Sequence, residues 1–543
     1  MQFDVVVAGG GPAGLAAAIR LKQLQPGLSV CLIEKAAEIG GQVVSGAVIE
    51  TRALDELLPA WRELGAPLET KVNEESLLFL TAKRAFPIPA LHWAMPDMDN
   101  RGNYIVSLGD VCRWLGEQAE ALGVDVFPGF GGAHLVIEHN ESAHPRVVGV
   151  TTGDMGRQAD GSPGPQFQPG VTLEAKQVIL AEGAHGSLSE EAMSRFFLRK
   201  GIDPQTYGLG IKELWEVPAA QHRPGFVQHS FGWPLDSQTY GGAFLYHFGR
   251  NLVAYGFVTG LDYRNPYLSP FEEMQRTKKH PAFSKHLKGG KRLAYGARAL
   301  TEGGLQCLPR LTFPGGVLAG DSAGFLNMPK IKGTHTAMKS GMVAAEAVVE
   351  ALTQNAPEAT SYQPRLEQSW LWGELHRARN IRPAFHKWGL WGGALYAGLD
   401  GTLLRGHTPW TLHHHQPDCD RLRHAADARP ITYPAPDGLL TFDKLSSLQL
   451  ANINHDEGQP SHLVMRNPAL WREVNLNQYQ APETRYCPAA VYEEDKDATG
   501  KAFLRINASN CLQCKSCAIK DPTLNIHWTV PEGGSGPSYP PGM

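Results

Sequence analysis

The segment Gly9-Gly10-Gly11-Pro12-Ala13-Gly14 constrains this chain more than any other part of its 543 residues. It follows an apolar run from Phe3 to Ala8 and opens Leu15-Ala16-Ala17-Ala18-Ile19-Arg20-Leu21, a strong helix former; Val30-Cys31-Leu32-Ile33 then reads as a second strand. That order predicts a βαβ unit carrying the G-x-G-x-x-G dinucleotide fingerprint. Gly9 permits the tight turn, Gly11 lets the backbone approach a pyrophosphate at the helix N-terminus, and Gly14 lets helix and sheet pack closely. Glu34 ends the second strand twenty residues after Gly14, where its carboxylate can hold ribose hydroxyls. Ala13 and Lys35 complete the candidate nucleotide contacts at this end.

A second segment, Gly316-Val317-Leu318-Ala319-Gly320-Asp321-Ser322-Ala323-Gly324, narrows the dinucleotide to FAD. It resembles the late signature of flavoproteins with a two-dinucleotide fold, in which a strand-end Asp takes the ribitol hydroxyls. Asp321 beside Gly320 is suited to accept such bonds while backbone amides meet phosphate. Gly333-Thr334 opens an Ala-rich helix whose positive end can face a reduced, anionic flavin. The expected fold is therefore an α/β flavoprotein with a discontinuous Rossmann-like FAD domain. Residues 206–300, rich in aromatic, Gly and β-branched residues, read as a mostly β domain inserted into it, and residues 155–170 as a surface hairpin or loop.

Four of the eight cysteines lie between Cys487 and Cys517. Cys511, Cys514 and Cys517 form C-x2-C-x2-C, and Cys487-Pro488 lies 24 residues upstream. Three thiolates on one loop and a remote Cys-Pro suit one 4Fe-4S cluster; a zinc site, the competing reading, usually pairs its cysteines two by two. Cys31, Cys112, Cys307 and Cys419 have no metal spacing and read as packed thiols. His413-His414-His415 reads as a solvated or interfacial loop, because consecutive positions do not converge on one face.

Trp388 to Leu399 is apolar and aromatic, with His386, Lys387 and Arg405 flanking it and Asp400 ending it. That suits a helix lying in a membrane interface better than one spanning it, with Trp388, Trp391, Leu395 and Leu399 as one stripe. Phe79 to Met98, also apolar and Pro-rich, suits a hairpin beside it. No uninterrupted apolar run reaches the ~18 residues of a spanning helix. The first residues enter a strand at once, so the expectation is a chain without a leader, located in the cytoplasm. Fifty basic against 54 acidic residues leave a formal charge of −4, which argues against a nucleic-acid partner.

Together these motifs closely resemble the electron transfer flavoprotein:ubiquinone oxidoreductase family, in a bacterial form, nearly end to end. Its most specific stretches here are Gly232 to Gly242, Gly256 to Pro270, Asn327 to Gly341 and the cluster region ending Lys520-Asp521-Pro522. The resemblance implies FAD, one 4Fe-4S cluster, ubiquinone as substrate, and reduced electron transfer flavoprotein as the donor partner. By position it implies Cys487, Cys511, Cys514 and Cys517 as cluster ligands, Tyr492 and Ser516 as hydroxyls tuning the cluster, and Gly241 and Gly242 as backbone contacts to the quinone. It also implies a peripheral, monotopic protein on the cytoplasmic face of the inner membrane. The implied division is 1–78, 105–205 and 301–360 for the FAD domain and 79–104 for a membrane-dipping hairpin. Residues 206–300 form the quinone domain, 361–430 a linker with the surface helix, and 431–543 a ferredoxin-like cluster domain. An FAD-dependent monooxygenase is the alternative enzyme, and it needs no cluster. An iron-sulfur scaffold with a vestigial flavin fold is the non-enzymatic alternative, disfavoured by the intact glycines, Glu34 and Asp321.

Overall fold

The computed structural model describes residues 1–88, 98–138 and 145–543. The apolar run becomes strand β1 (Gln2–Ala8), followed by helix α1 (Pro12–Leu24) and strand β2 (Val30–Glu34). Gly11 caps the helix and Pro12, at its first position, gives up a backbone N–H that would have no helical partner. Both strands are buried on both faces, as expected where helices cover a parallel sheet.

Around them an eight-stranded sheet runs in spatial order Thr312–Phe313, Gly316–Leu318, Thr172–Leu180, β1, β2, Asp125–Pro128, with Arg146–Thr152 and Gly132–Glu138 added beside Thr172–Leu180. The central pairings are parallel. Their carboxyl ends deliver Gly9, Glu34, Glu182 and Asp321 to one edge, the place where open α/β sheets bind ligands. Residues 155–170 form the expected hairpin, Met155–Arg157 against Pro163–Gln168.

A second, seven-stranded sheet follows the order Lys291–Thr301, Tyr207–Glu216, Leu252–Gly260, Gly241–Phe248, Phe226–Gly232, Glu74–Leu80, Ala85–Pro87. It is antiparallel except where Phe226–Gly232 meets Glu74–Leu80. The division expected at residue 78 falls inside that last strand, because sheet pairing carries the N-terminal piece past Phe79. Residues 89–97, the centre of the expected hairpin, lie outside the described residues.

From residue 431 onward regular structure is sparse. It comprises the strand pairs Ile453–Asn454 with Gly536–Pro537, Leu463–Met465 with Ile526–Trp528, and Tyr492–Lys496 with Ala502–Ile506, and short helical segments such as Lys444–Leu448, Glu483–Tyr486 and Ser516–Lys520. The Gly/Pro-rich tail is pinned, not loose: Tyr539 N donates to Gly41 O (2.8 Å) and the Met543 carbonyl accepts from Ser107 Oγ (3.0 Å).

Candidate functional site

One cavity of about 1030 Å³ joins the carboxyl edge of the first sheet to the face of the second. Its nucleotide end is lined by Gly9, Gly11, Ala13, Glu34 and Lys35, its middle by Arg298, Asp321, Gly333 and Thr334, and its far end by Tyr240, Gly241, Gly242 and Phe385. The glycines of the first loop divide by role. A side chain on Gly9 would strike the Ala181 carbonyl, and one on Gly14 the Gly9 carbonyl, so both are demanded by backbone packing. Gly9 also sits at φ 111°, a left-handed conformation open to glycine. Nothing lies within 4 Å of where a Gly11 side chain would project. That empty cradle at the α1 N-terminus is what a pyrophosphate needs.

Glu34 accepts from Gly10 N and Ala36 N, both at 2.8 Å, one bond to each oxygen. A carboxylate has about four acceptor sites, so ribose hydroxyls can still bind. Lys35 directs its ammonium to the side-chain carbonyls of Gln42 and Gln513, tying the nucleotide strand to the cysteine loop, and burial pulls its pKa down to about 7. Asp321 accepts from Thr301 Oγ1 (3.0 Å), and burial raises its carboxyl above the usual range. Gly320, at φ 61°, packs against Ala13 and donates to Ser340 Oγ (2.9 Å), so it shapes the turn that presents Asp321. Gly333 caps the helix Thr334–Thr353. Lys212 Nζ, buried in the wall without a protein partner, is an unsatisfied donor of the kind an acceptor-rich cofactor fits.

Gly241 and Gly242 begin the strand Gly241–Phe248. Side chains there would strike the Val258 and Ser230 carbonyls, so close strand packing alone requires glycine at both. The result is bare backbone facing the cavity.

The four cluster-region cysteines are buried and unbridged. Among the described residues, the only trio of His, Cys, Asp or Glu ligand atoms within 4.8 Å of one another is Glu50, His335 and Glu374. No three of the cysteine sulfurs come that close, whereas a tetrahedral zinc with Zn–S of about 2.3 Å needs sulfurs roughly 3.8 Å apart. Burial pushes the Cys487 thiol up to about 11 and the Cys517 thiol up to about 12. Ser516 Oγ lies 3.2 Å from Cys514 Sγ. The Tyr492 hydroxyl sits beside the Cys517 sulfur, buried and without a well-formed protein hydrogen bond, a donor left for a sulfide.

Comparison with known proteins fits this geometry. Residues 4–68 match the family "FAD dependent oxidoreductase", residues 207–300 "ETF-QO, ubiquinone-binding", and residues 438–540 "Electron transfer flavoprotein-ubiquinone oxidoreductase, 4Fe-4S". The mitochondrial electron transfer flavoprotein-ubiquinone oxidoreductases of Bos taurus and Homo sapiens are each 52% identical over 553 residues, covering 99% of this chain and 89% of theirs. The chain belongs to the electron transfer flavoprotein-ubiquinone oxidoreductase family. The Arabidopsis thaliana protein of the same name is 50% identical over 545 residues, covering 99% of this chain and 84% of its own. A geranylgeranyl bacteriochlorophyll reductase-like structure from Thermoplasma acidophilum shares the fold at TM-score 0.53 and 20% identity, over 69% of this chain and 85% of that one. As a member of the ETF-ubiquinone oxidoreductase family, the chain is an oxidoreductase with FAD and one 4Fe-4S cluster, and it has a ubiquinone-binding domain.

The surface helix differs from the continuous stripe expected. Helix Ile381–Leu399 breaks at Gly389 (φ 65°, ψ −164°), where Leu390 N donates to Ser237 O (2.7 Å). Trp388 therefore belongs to one half and Trp391, Leu395 and Leu399 to the other. All four are exposed, at 44%, 63%, 78% and 44%, while Gly389, Leu390, Ala394 and Ala397 face the cavity. Asp400 is buried and lines the cavity, so it does not interrupt the exposed face. Phe79 packs on Trp391 with ring centroids 5.3 Å apart.

Reading the sequence missed Arg298, Lys515 and Trp528 in the cavity wall. Lys515 lies 2.9 Å over the Trp528 ring. Its place between Cys514 and Cys517 was the available signal, since a residue inside the ligand loop must approach whatever the loop faces. His413 and His414 bond to different partners, Asp203 Oδ2 (2.9 Å) and Thr206 Oγ1 (3.0 Å), and do not converge on a metal.

Proposed function

We propose that FAD lies along the cavity with its pyrophosphate over Gly11, its ribose on Glu34 and its ribitol at Asp321, and that the ubiquinone ring enters from the helix side to meet the Gly241–Gly242 backbone. Cys487, Cys511, Cys514 and Cys517 hold the cluster, with Tyr492 and Ser516 donating to it. The enzyme transfers electrons from reduced electron transfer flavoprotein, by way of the 4Fe-4S cluster and FAD, to ubiquinone. A flavin exchanges one or two electrons and a cubane one, which reconciles single-electron delivery with a two-electron quinone.

The protein's own contribution is placement. The glycines clear backbone for phosphate and quinone, Gly333 and Thr334 present a helix N-terminus, and Lys35 with Gln513 locks the cluster loop against the nucleotide strand. The observation that carries this reading is that nucleotide loop, Gly241–Gly242 and the inner face of the Ile381–Leu399 helix border a single cavity.

The exposed row Trp388, Trp391, Leu395 and Leu399 covers the outer face of that helix, so a lipid surface there would deliver a lipid-soluble quinone directly to the opening. Among the described residues no helix is long and apolar enough to cross a membrane, which suits a monotopic attachment. The bacterial reading places that surface on the cytoplasmic face of the inner membrane. The test is anaerobic purification: one FAD and about four iron per chain, reduced by electron transfer flavoprotein and reoxidised by ubiquinone. Reoxidation by oxygen with hydroxylation of an organic substrate, and no iron, would favour the monooxygenase instead.

A further inference from the structure

Ubiquinone becomes ubiquinol only by taking two protons as well as two electrons, and the cavity wall beside Gly241 carries an acid that the sequence motifs do not mark. Glu302 follows the strand Lys291–Thr301, is buried, and lines the cavity. Its Oε2 accepts from Arg382 Nε (3.2 Å), and the same guanidinium donates to Asp262 Oδ1 (2.9 Å). His386 Nδ1 lies 3.1 Å from the other Asp262 oxygen. The sheet makes room for this group with glycines. A side chain on Gly208 would strike Glu302 Oε1; one on Gly260 would sit 2.8 Å from Asp262 Oδ1 and 3.1 Å from Arg382 Nη2. Gly208 pairs with Gly260, and Gly260 N donates to Tyr240 O (2.9 Å), so the trough runs across three strands to the residue before Gly241. The Arg382 guanidinium lies 4.8 Å from the Tyr240 ring centre.

We propose that Glu302 is the proton donor to the bound quinone, with Arg382 as its positioning residue. The inference rests on the quinone placement above. The Glu302 O–H bond breaks as one carbonyl oxygen of the quinone, having received both electrons from the enzyme's cofactors, gains its proton. The second oxygen takes its proton from water, and Glu302 reloads from solvent before the next turnover. The backbone beside it is fixed: Glu302 N donates to Thr206 O (2.7 Å), and Thr206 Oγ1 bonds His414 Nε2 (3.0 Å).

Burial raises the Glu302 carboxyl to about 7, partly opposed by Arg382 and reinforced by the Asp262 charge; the Tyr240 hydroxyl also feels its charge, and His386 and Asp418 act on the Arg382–Asp262 pair beside it. Below that pH the group carries its proton, and above it the donor is lost. Quinone reduction by the wild type should therefore fall as pH rises through about 7, while electron transfer to a one-electron acceptor that takes no proton, ferricyanide, should not.

The test uses the holoenzyme. Glu302→Gln keeps the shape and the Arg382 bond. It should lower quinone reduction at least about tenfold, flatten its pH profile and abolish its solvent deuterium isotope effect, with FAD, iron and ferricyanide rate unchanged. Infrared spectroscopy should show a protonated-carboxyl band in the wild type below pH 7 that the variant lacks. Quinone reduction at the wild-type rate and pH profile in Glu302→Gln would overturn the proposal. If that variant loses FAD, Glu302→Asp decides: a shifted pH profile supports the assignment, an unshifted one overturns it. Failure of the wild type itself to reduce quinone would refute the reading beneath it instead.

Discussion

The nucleotide region and the cysteine region are both buried cofactor sites, yet they are built by opposite means. Around Gly11 the backbone is regular: long parallel strands, a 13-residue helix α1, and a continuous apolar core from Val5 to Leu375. Around Cys514 the chain is turns, two- to five-residue strands and short helices such as Ser516–Lys520, and Gln480, Ala481, Ala490, Gln513, Lys515 and Leu524 all sit at positive φ. Such conformations cost of order 1–3 kcal/mol each in sparsely populated regions and persist only where their surroundings over-determine them. Buried polar contacts do part of that work: Asn475 Nδ2 donates to Asp521 Oδ1 (2.6 Å), and Lys520 Nζ donates to the Tyr263 and Asp418 carbonyls. The lesson is that the nucleotide fold stands on its own core, whereas the cysteine region borrows the core of the seven-stranded sheet and adds to it whatever its thiols bind.

The sharpest way to break that contrast is Cys514→Ala. It should abolish the 4Fe-4S signal and quinone reduction and open residues 431–543 to limited proteolysis, while flavin stays bound. Equal protease resistance in the iron-free variant would show that the cysteine region folds without its cluster.

Two glycines three residues apart test the nucleotide side. Gly14→Val places atoms against the Gly9 carbonyl and should destabilise the fold by about 1–3 kcal/mol or more, read by thermal melting. Gly11→Val projects into empty space, so it should leave the melting of the flavin-free protein unchanged and yet eliminate FAD. Stoichiometric flavin in Gly11→Val would remove the pyrophosphate from this cradle.

A third region belongs to neither core. Trp391→Asp with Leu395→Asp alters side chains 63% and 78% exposed, so folding, flavin and iron should be unaffected. Burying each native side chain in lipid is worth about 1.5–3 kcal/mol, and co-sedimentation with liposomes should be lost. Sedimentation equal to wild type would show that the row does not meet a membrane.

The smallest effects concern tuning. Tyr492→Phe and Ser516→Ala should each lower the cluster potential by some tens of millivolts, the scale of about one hydrogen bond, because each donor favours the more negative reduced state. Unchanged potentials in both by redox titration would mean that neither hydroxyl reaches the cluster.

What could be read from the sequence were features whose partners are near in the chain. The G-x-G-x-x-G loop, the Asp321 turn and the C-x2-C-x2-C loop each carry their geometry within a few residues, and the five strands of the second sheet that lie in or beside residues 206–300 announced themselves through β-branched and aromatic composition, whereas Glu74–Leu80 and Ala85–Pro87 did not. Glu302, Asp262 and Arg382 did not, because three separate elements bring them together and each alone resembles a surface charge. The Gly389 break escaped for a different reason: the spacing of Trp388, Trp391, Leu395 and Leu399 is that of one continuous helix, and the bend at Gly389 goes with a contact to Ser237, far away in the chain. The bond from Lys35 to Gln513 was not legible, because 478 residues separate the two.

The cavity wall is finished by Lys515, Trp528 and Val530, at the far end of the chain from the glycine loop they face. During synthesis the loop leaves the ribosome first and that wall last. Throughout translation the pocket stands open on one side, free to admit a flavin but without the surface that closes over it. The surface that closes the pocket is thus the last part of it to be made.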